Sequence, residues 1–360
     1  MISSKVIVVI ILFSVLVSFI FITSFKKIKP VMIKYLYNTQ LPVIKENWKG
    51  NLIIDGQFTN SNTKENIPLK DVIKWKFTKN PQKEEKKADT FKLKFYTNNE
   101  FINSPDDIIV WFGHSSFFIR VNGISILTDP CYYDMPLIKR LVPIPCNTNQ
   151  LNKIDYVIIS HFHREHFDKK SIEEIFENNP NAKALIPLNG GKMLKKTTNN
   201  YEEAGWYQQF ITSNKIKIYF LPARHWNRRN MFDYNTMLWG SFIIKTNEKT
   251  IYFAGDTGWG NHFEEIHKLF PDIDYALLPV GAYKPSFLMQ REHISPSEAV
   301  KASNILGAKN IIPMHYGTYN LSDEPIGEPV RELKKLEKEK LINGNIHYQG
   351  VGETLILNKL

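Results

Sequence analysis

IDYVIISHFHREHFD, residues 154–168, joins an apolar run to three histidines at 161, 163 and 166, with Glu165 and Asp168 among them. The run IDYVIIS has the length and β-branched content of a buried strand, and it gives way abruptly to polar residues. Where a strand ends, residues two apart project to the same side, so His161 and His163 can face one metal ion; a helix would not bring them together. Glu165 and His166 follow in what reads as a loop able to turn back toward a second ion. Three histidines within six residues, from only ten in a chain of 360, do not look like an ordinary solvated loop. The stretch points to a metal site at a strand end.

A zinc site takes about four donors per ion, so further ligands must come from elsewhere in the chain. His225 follows IKIYFLPAR, Asp256 follows TIYFAG, and His315 ends NIIPMH. Each is a metal-type donor directly after an expected strand. Alone, any of them reads as a hydrogen-bonded structural residue; together with the histidine cluster they form a constellation. Two zinc-like ions about 3.5–4 Å apart can share a water, lower its pKa and clamp the attacking and leaving oxygens of a displacement. The chemistry indicated is metal-assisted hydrolysis, and Asp256 suits a bridging position.

From Asp106 onward, short apolar runs alternate with helical patterns. IIVWF (108–112), SFFIRV (116–121) and ISILT (124–128) read as strands, with Asn122-Gly123 as a hairpin turn between the last two. Helices are expected at 170–178, 261–270, 296–306 and 328–339, the third opened by a Ser295 cap, Pro296 and a capping-box Glu298. Residues 105–360 thus read as one catalytic domain of sheets covered by helices, and 30–104 as a polar, peripheral lead-in. A hydrophobic content of 43% with 13% aromatics sets disorder aside. The net charge of +10 is scattered and matches no nucleic-acid signature, which favours a membrane surface or an anionic substrate. Cys131 and Cys146 lack C-x-x-C spacing and read as ordinary thiols.

The charge-free stretch VIVVIILFSVLVSFIFITSF, residues 6–25, would span about 30 Å as a helix, the thickness of a bilayer's hydrocarbon core. Residues 1–29 therefore read as a retained, single-pass N-terminal membrane anchor. Lys26, Lys27, Lys29 and Lys34 after the span outnumber Lys5 before it, which by the positive-inside rule leaves the catalytic bulk on the cytoplasmic side.

Several longer segments carry a resemblance. WFGHSSFFIRVNGISILTDP (111–130), the histidine stretch, PARHWNRRNMFDYNTMLWGSFII (222–244), FAGDTGWGNHFEEI (253–266), LLPVGAYKPSFLM (277–289) and HISPSEAV (293–300) resemble the metallo-β-lactamase superfamily. Within it they are most similar to N-acyl-phosphatidylethanolamine-hydrolysing phospholipase D and its bacterial relatives. HWNRR with LWGS, and GAYKP followed by HISP, are more specific than the histidines alone. The resemblance implies an α+β, αββα four-layer sandwich, here preceded by the one transmembrane helix. It implies two Zn2+ ions, one on His161, His163 and His225 and one on Glu165, His166 and His315, with Asp256 bridging. It implies a phospholipid substrate cut to N-acylethanolamine and phosphatidic acid, with His293 as a catalytic residue near the phosphate and Asp129 orienting a ligand histidine; a homodimer is compatible with it. His114, in GHSS, reads as structural. Trp226, Trp239, Trp259 and Phe287 are candidates for an acyl groove.

The chain departs from the family pattern at two positions: Glu165 stands where the family has aspartate, and Glu292 stands where the better-known phospholipase has glutamine. A carboxylate set one methylene farther from the backbone can still ligate zinc with altered geometry. Two other readings stay open: a hydrolase of a different small substrate, similar to L-ascorbate-6-phosphate lactonase, and a non-catalytic lipid-binding relative.

Overall fold

Ile108, Ile109, Val110, Trp111 and Phe112 are all fully buried, which a strand permits only when both of its faces are covered. Alternate side chains divide between two cores. Ile109 and Trp111 pack with Phe117, Ile218, Phe242 and Phe253. Ile108, Val110 and Phe112 pack on the opposite face with Ile172, Ile175 and Phe176 of the helix Lys169–Asn178. The period-2 pleat of one sequence run therefore dictates sheet against sheet on one side and sheet against helix on the other, the αββα order.

The structure, a computed structural model, describes residues 31–60 and 69–357. β1 (Ile33–Leu36), β2 (Asn51–Ile54) and β3 (Gln57–Phe58) form a small antiparallel sheet. The first large sheet contains β4 (Ile108–Gly113), β5 (Ser116–Val121), β6 (Ile124–Thr128), β7 (Tyr156–Ile158), β8 (Lys183–Pro187) and β9 (Tyr201–Ala204). The second contains β10 (Gln208–Gln209), β11 (Lys217–Leu221), β12 (Ser241–Lys245), β13 (Thr250–Phe253), β14 (Tyr275–Pro279), β15 (Asn310–Met314) and β16 (Asn345–Ile346). β17 (Thr354–Ile356) returns to pair with β4 at the edge of the first. Each large sheet has three antiparallel pairings followed by three parallel ones. Within the first sheet β4, β6 and β7 consequently run the same way, as do β11, β13, β14 and β15 within the second.

Local sequence accounts for much of this. Asn122 and Gly123 both have positive φ, 51° and 75°, as a two-residue hairpin turn with the right twist requires. The helices Lys169–Asn178, His262–Leu269, Pro296–Leu306 and Glu328–Lys338 lie within a residue of their expected bounds, and Ser295 and Glu298 form the capping box. Asp168 of the opening stretch is a helix cap, its side chain accepting from Ser171 N at 3.0 Å. Cys131 and Cys146 are buried, free thiols. The expected span at 6–25 lies outside the described residues; among those described, no helix is long and apolar enough to cross a membrane.

The lead-in is less peripheral than its composition suggests. Leu41, Ile53 and Phe58 belong to the larger core cluster, and Phe58 N donates to Asn235 O at 2.8 Å while Ile44 N donates to Tyr207 O at 2.8 Å. The helix Leu69–Phe77 rests on the short helix Ser286–Met289, with Lys74 Nζ 4.5 Å from the Phe287 ring centre. Its few apolar residues find partners more than 150 positions away, so local patterning understates their burial. Phe58 is 1% exposed; Phe58→Ala should cost about 3–5 kcal/mol of stability, read as a lower urea midpoint. A midpoint indistinguishable from the unsubstituted chain would show that residues 31–60 are not part of the cooperative unit.

Candidate metal centre

Six strands deliver the site. His114 follows β4, Asp129 follows β6, Ser160 to His166 follow β7, His225 follows β11, Asp256 follows β13 and His315 follows β15. The carboxyl ends of strands in the two sheets meet at one edge, where His315 N donates to His114 O at 3.1 Å and Gly240 N donates to Ser160 O at 3.0 Å. Gly255 has φ +58°, and a Cβ there would lie 2.6 Å from Ser160 Cβ, so only glycine lets the turn carrying Asp256 approach the histidine loop.

The first group of donors is three imidazoles. His161 Nε2 lies 2.9 Å from His163 Nδ1, which lies 3.3 Å from His225 Nε2. His225 Nδ1 is 3.0 Å from the carbonyl of Glu292, and because a carbonyl only accepts, Nδ1 carries the proton and Nε2 keeps its lone pair. Ser160 Oγ donates to Asp129 Oδ2 at 2.5 Å and is 2.9 Å from His161 Nδ1, so it accepts from that nitrogen and leaves His161 Nε2 free to ligate. Burial pushes His161 and His225 well below the ordinary histidine pKa and His163 down to about 4, so all three are held in the neutral form that binds metals. Ring nitrogens on tetrahedral zinc at 2.0–2.1 Å stand about 3.3 Å apart, close to the spacing here.

The second group surrounds Asp256, which is 2% exposed. His315 Nε2 and His166 Nε2 lie 3.0 and 3.1 Å from Asp256 Oδ2, and His225 Nε2 lies 3.9 Å from the same oxygen, so one carboxylate touches both groups. His166 Nδ1 donates to Asp129 Oδ2 at 2.7 Å, which aims Nε2 inward. Burial alone would raise the Asp256 carboxyl, but His166 and His315 hold it well below the usual carboxylate range. Burial likewise opposes charge on His166, yet Asp256 and Asp129 outweigh it and hold that ring well above its ordinary value.

A test of fit for metal lies in what these atoms lack. Both Asp256 oxygens, His166 Nε2 and His315 Nε2 are buried with no hydrogen-bond partner among the described residues. Such a concentration of unsatisfied polar atoms is foreign to native cores unless something else binds them. An imidazole-rich set with a central carboxylate fits two zinc-type ions.

Six of the seven expected ligands are thus brought together. Glu165 is not in any of the groupings of potential metal donors among the described residues, which are His161–His163–His225, Asp129–His161–His166, Asp256–His293–His315 and His114–His166–His315. It lines the cavity above them; burial raises its carboxyl, but His163 and His166 more than offset that and lower it. His293 Nδ1 stands 3.8 Å from Asp256 Oδ2 at the cavity floor. Two of the four candidate groove aromatics are packing residues. Trp239 is buried and donates to Ala223 O at 3.0 Å, and Trp259 packs on Phe263. Sequence reading missed Ser160, the Glu292 carbonyl and Trp75. Ser160 could have been suspected from its place beside His161; Trp75 sits in a segment whose polarity hides its role.

The cavity has a volume of about 750 Å³. His163, Glu165, His293 and His315 lie at its polar end, and Trp75, Trp226, Met231, Leu288, Met289 and Leu321 supply apolar wall.

The chain matches the Beta-lactamase superfamily domain over residues 125–316, which include every residue of both donor groups. It is 31% identical over 257 residues to N-acyl-phosphatidylethanolamine-hydrolyzing phospholipase D 1 of Caenorhabditis elegans, covering 67% of this chain and 72% of the relative. It is 33% identical over 239 residues to the mitochondrial enzyme of that name in Saccharomyces cerevisiae, covering 63% of this chain and 51% of that protein, so it spans about half the yeast relative's length. The structure of a metallo hydrolase from the archaeon Ignicoccus hospitalis superposes with a TM-score of 0.51 at 23% identity, over 70% of this chain and 98% of that one, a likeness of fold. The buried donor groups and these similarities agree: the chain belongs to the metallo-β-lactamase superfamily, as a metal-dependent hydrolase related to the N-acyl-phosphatidylethanolamine-hydrolysing phospholipases D.

Proposed function

We propose that this hydrolase is a zinc-dependent phosphodiesterase of phospholipase D type, anchored to a membrane through residues 6–25 with its catalytic domain on the cytoplasmic side. Its substrate is an N-acyl-phosphatidylethanolamine-like lipid. Water adds across the phosphorus–oxygen bond on the headgroup side, so N-acylethanolamine leaves with a proton on its oxygen and phosphatidic acid retains the phosphate. The observation that carries this reading is the cavity: a space of about 750 Å³ lined both by Trp75, Trp226, Met231 and Leu288 and by His163, His293 and His315 of the centre. A small polar substrate would have no use for Trp75, Trp226, Met231 and Leu288 beside the donors.

Two divalent ions on the His161–His163–His225 and His166–His315 groups, with Asp256 between, would supply an activated water and neutralise phosphate charge. The remaining work falls to the chain's own residues. The carbonyl of Glu292 and the Ser160–Asp129 pair fix which nitrogen of the His225, His161 and His166 rings faces inward. His293 Nδ1, buried and without a hydrogen-bond partner among the described residues, is placed to bond a phosphate or leaving-group oxygen. Arg228 on the cavity rim favours an anionic lipid.

Zinc-loaded full chain incubated with N-acyl-phosphatidylethanolamine in mixed micelles should release N-acylethanolamine, and Asp256→Asn should bring release to background. Trp226→Ala should raise KM for a long-chain substrate about tenfold, the equivalent of one aromatic face removed from an acyl contact. A metal-loaded chain that releases none, or that opens a phosphorylated lactone faster than it cuts lipid, would overturn the assignment. Asp129→Asn should weaken metal binding about 10–100-fold in chelator competition, since it misorients His166; unchanged affinity would remove that role.

A further inference from the structure

We infer that His114 is a metal ligand, the imidazole that completes the second position beside His166 and His315 where Glu165 does not. The inference rests on the reading that this centre holds two ions. His114 lies outside the region matched by the family and was legible in the sequence only as a structural residue.

Its backbone is held at three points. His114 N donates to Thr318 Oγ1 at 2.7 Å, and its carbonyl accepts from His315 N at 3.1 Å and from Trp111 Nε1 at 2.9 Å. These bonds keep it at φ +55°, beside two further site residues in the same uncommon region, Asp129 at +35° and His315 at +63°. The conformation is thus over-determined by its surroundings, and the ring it aims is 1% exposed. A ring nitrogen of His114 falls within 4.8 Å of ring nitrogens of both His166 and His315, and its ring centre is 3.9 Å from that of His315.

The decisive observation is that His114 Nε2 is buried with no hydrogen-bond partner among the described residues. A histidine kept only for packing would have that nitrogen satisfied. His114 is also absent from the cavity lining, so a substrate group entering from the mouth does not reach it. A cation held by His166 and His315 would satisfy it, since a ring nitrogen of His114 stands within the same donor grouping. The second position then has three imidazoles and Asp256. It carries one carboxylate fewer than a site using Glu165, which shifts preference from oxygen-seeking Mg2+ and Mn2+ toward Zn2+.

The full chain, labelled with 15N-histidine and loaded with 113Cd, tests this directly. Six imidazoles with nitrogen–cadmium coupling are expected, from His114, His161, His163, His166, His225 and His315. Two bound ions with only five coupled rings would overturn the inference while leaving the binuclear reading intact; fewer than two bound ions would overturn both. In parallel, His114→Ala should lose one of the two ions or bind it at least tenfold more weakly, whereas Glu165→Ala should retain both. If His114→Ala does not fold, His114→Gln, which keeps the volume, is measured the same way. Two ions at unchanged affinity in either His114 variant would contradict the assignment.

Discussion

A carboxylate buried among imidazoles governs this structure. Asp256 is taken out of water, faces His166 and His315 at about hydrogen-bond distance, and has no aligned hydrogen bond on either oxygen. An uncompensated buried charge costs several kcal/mol; His166, held charged by Asp256 and Asp129, compensates it in part, but the neutral rings of His161, His163 and His225 with lone pairs turned inward do not. Cations do. The fold can place so much unsatisfied polarity at one point because the centre is completed by metal, and the surrounding hydrogen bonds to Asp129, Ser160 and the Glu292 carbonyl exist to keep the ligand rings from satisfying themselves otherwise.

The sandwich supplies the rigidity this needs. Both large sheets switch from antiparallel to parallel pairing, and strands running the same way end at a common edge. Short loops there hold the donors, three on the loop after β7 and one each after β11, β13 and β15, anchored by strands with buried residues on both faces. The left-handed residues Asp129 and His315 show that the loops are held by their surroundings and not by their own preferences. Above this edge the lead-in helix Leu69–Phe77 and the segment 226–234 form apolar wall, so the part of the chain with the least regular pattern contributes to the substrate face.

How much of this could be read from the sequence depended on where each residue's partners lie. β4 to β7, β11, β13 and β15 were legible because apolar runs and turn residues are local signals. β9, β10 and β17, with sequences YEEA, QQ and TLI, are strands only because a neighbour pairs with them. His161, His163 and His166 announced a metal by clustering, and His225, Asp256 and His315 by following strands. Glu165 reads as a ligand because it sits within that cluster; it lines the cavity beside His163 and His315 but lies outside the donor groupings among the described residues, since spacing along a loop does not determine which way a side chain faces. His114 shows the reverse. Nothing in GHSS marks His114 as a neighbour of the centre until the backbone bond from His315 brings two strand ends together.

The central claim is that Asp256 bridges two ions at the junction of the sheets. Anomalous X-ray scattering at the zinc absorption edge, from crystals of the zinc-loaded chain, tests it most directly. The account predicts two peaks about 3.5–4 Å apart, one within about 2.0–2.2 Å of nitrogens from His161, His163 and His225 and the other equally close to His166 and His315, with an Asp256 oxygen on each. A single peak, or peaks away from Asp256, would contradict it.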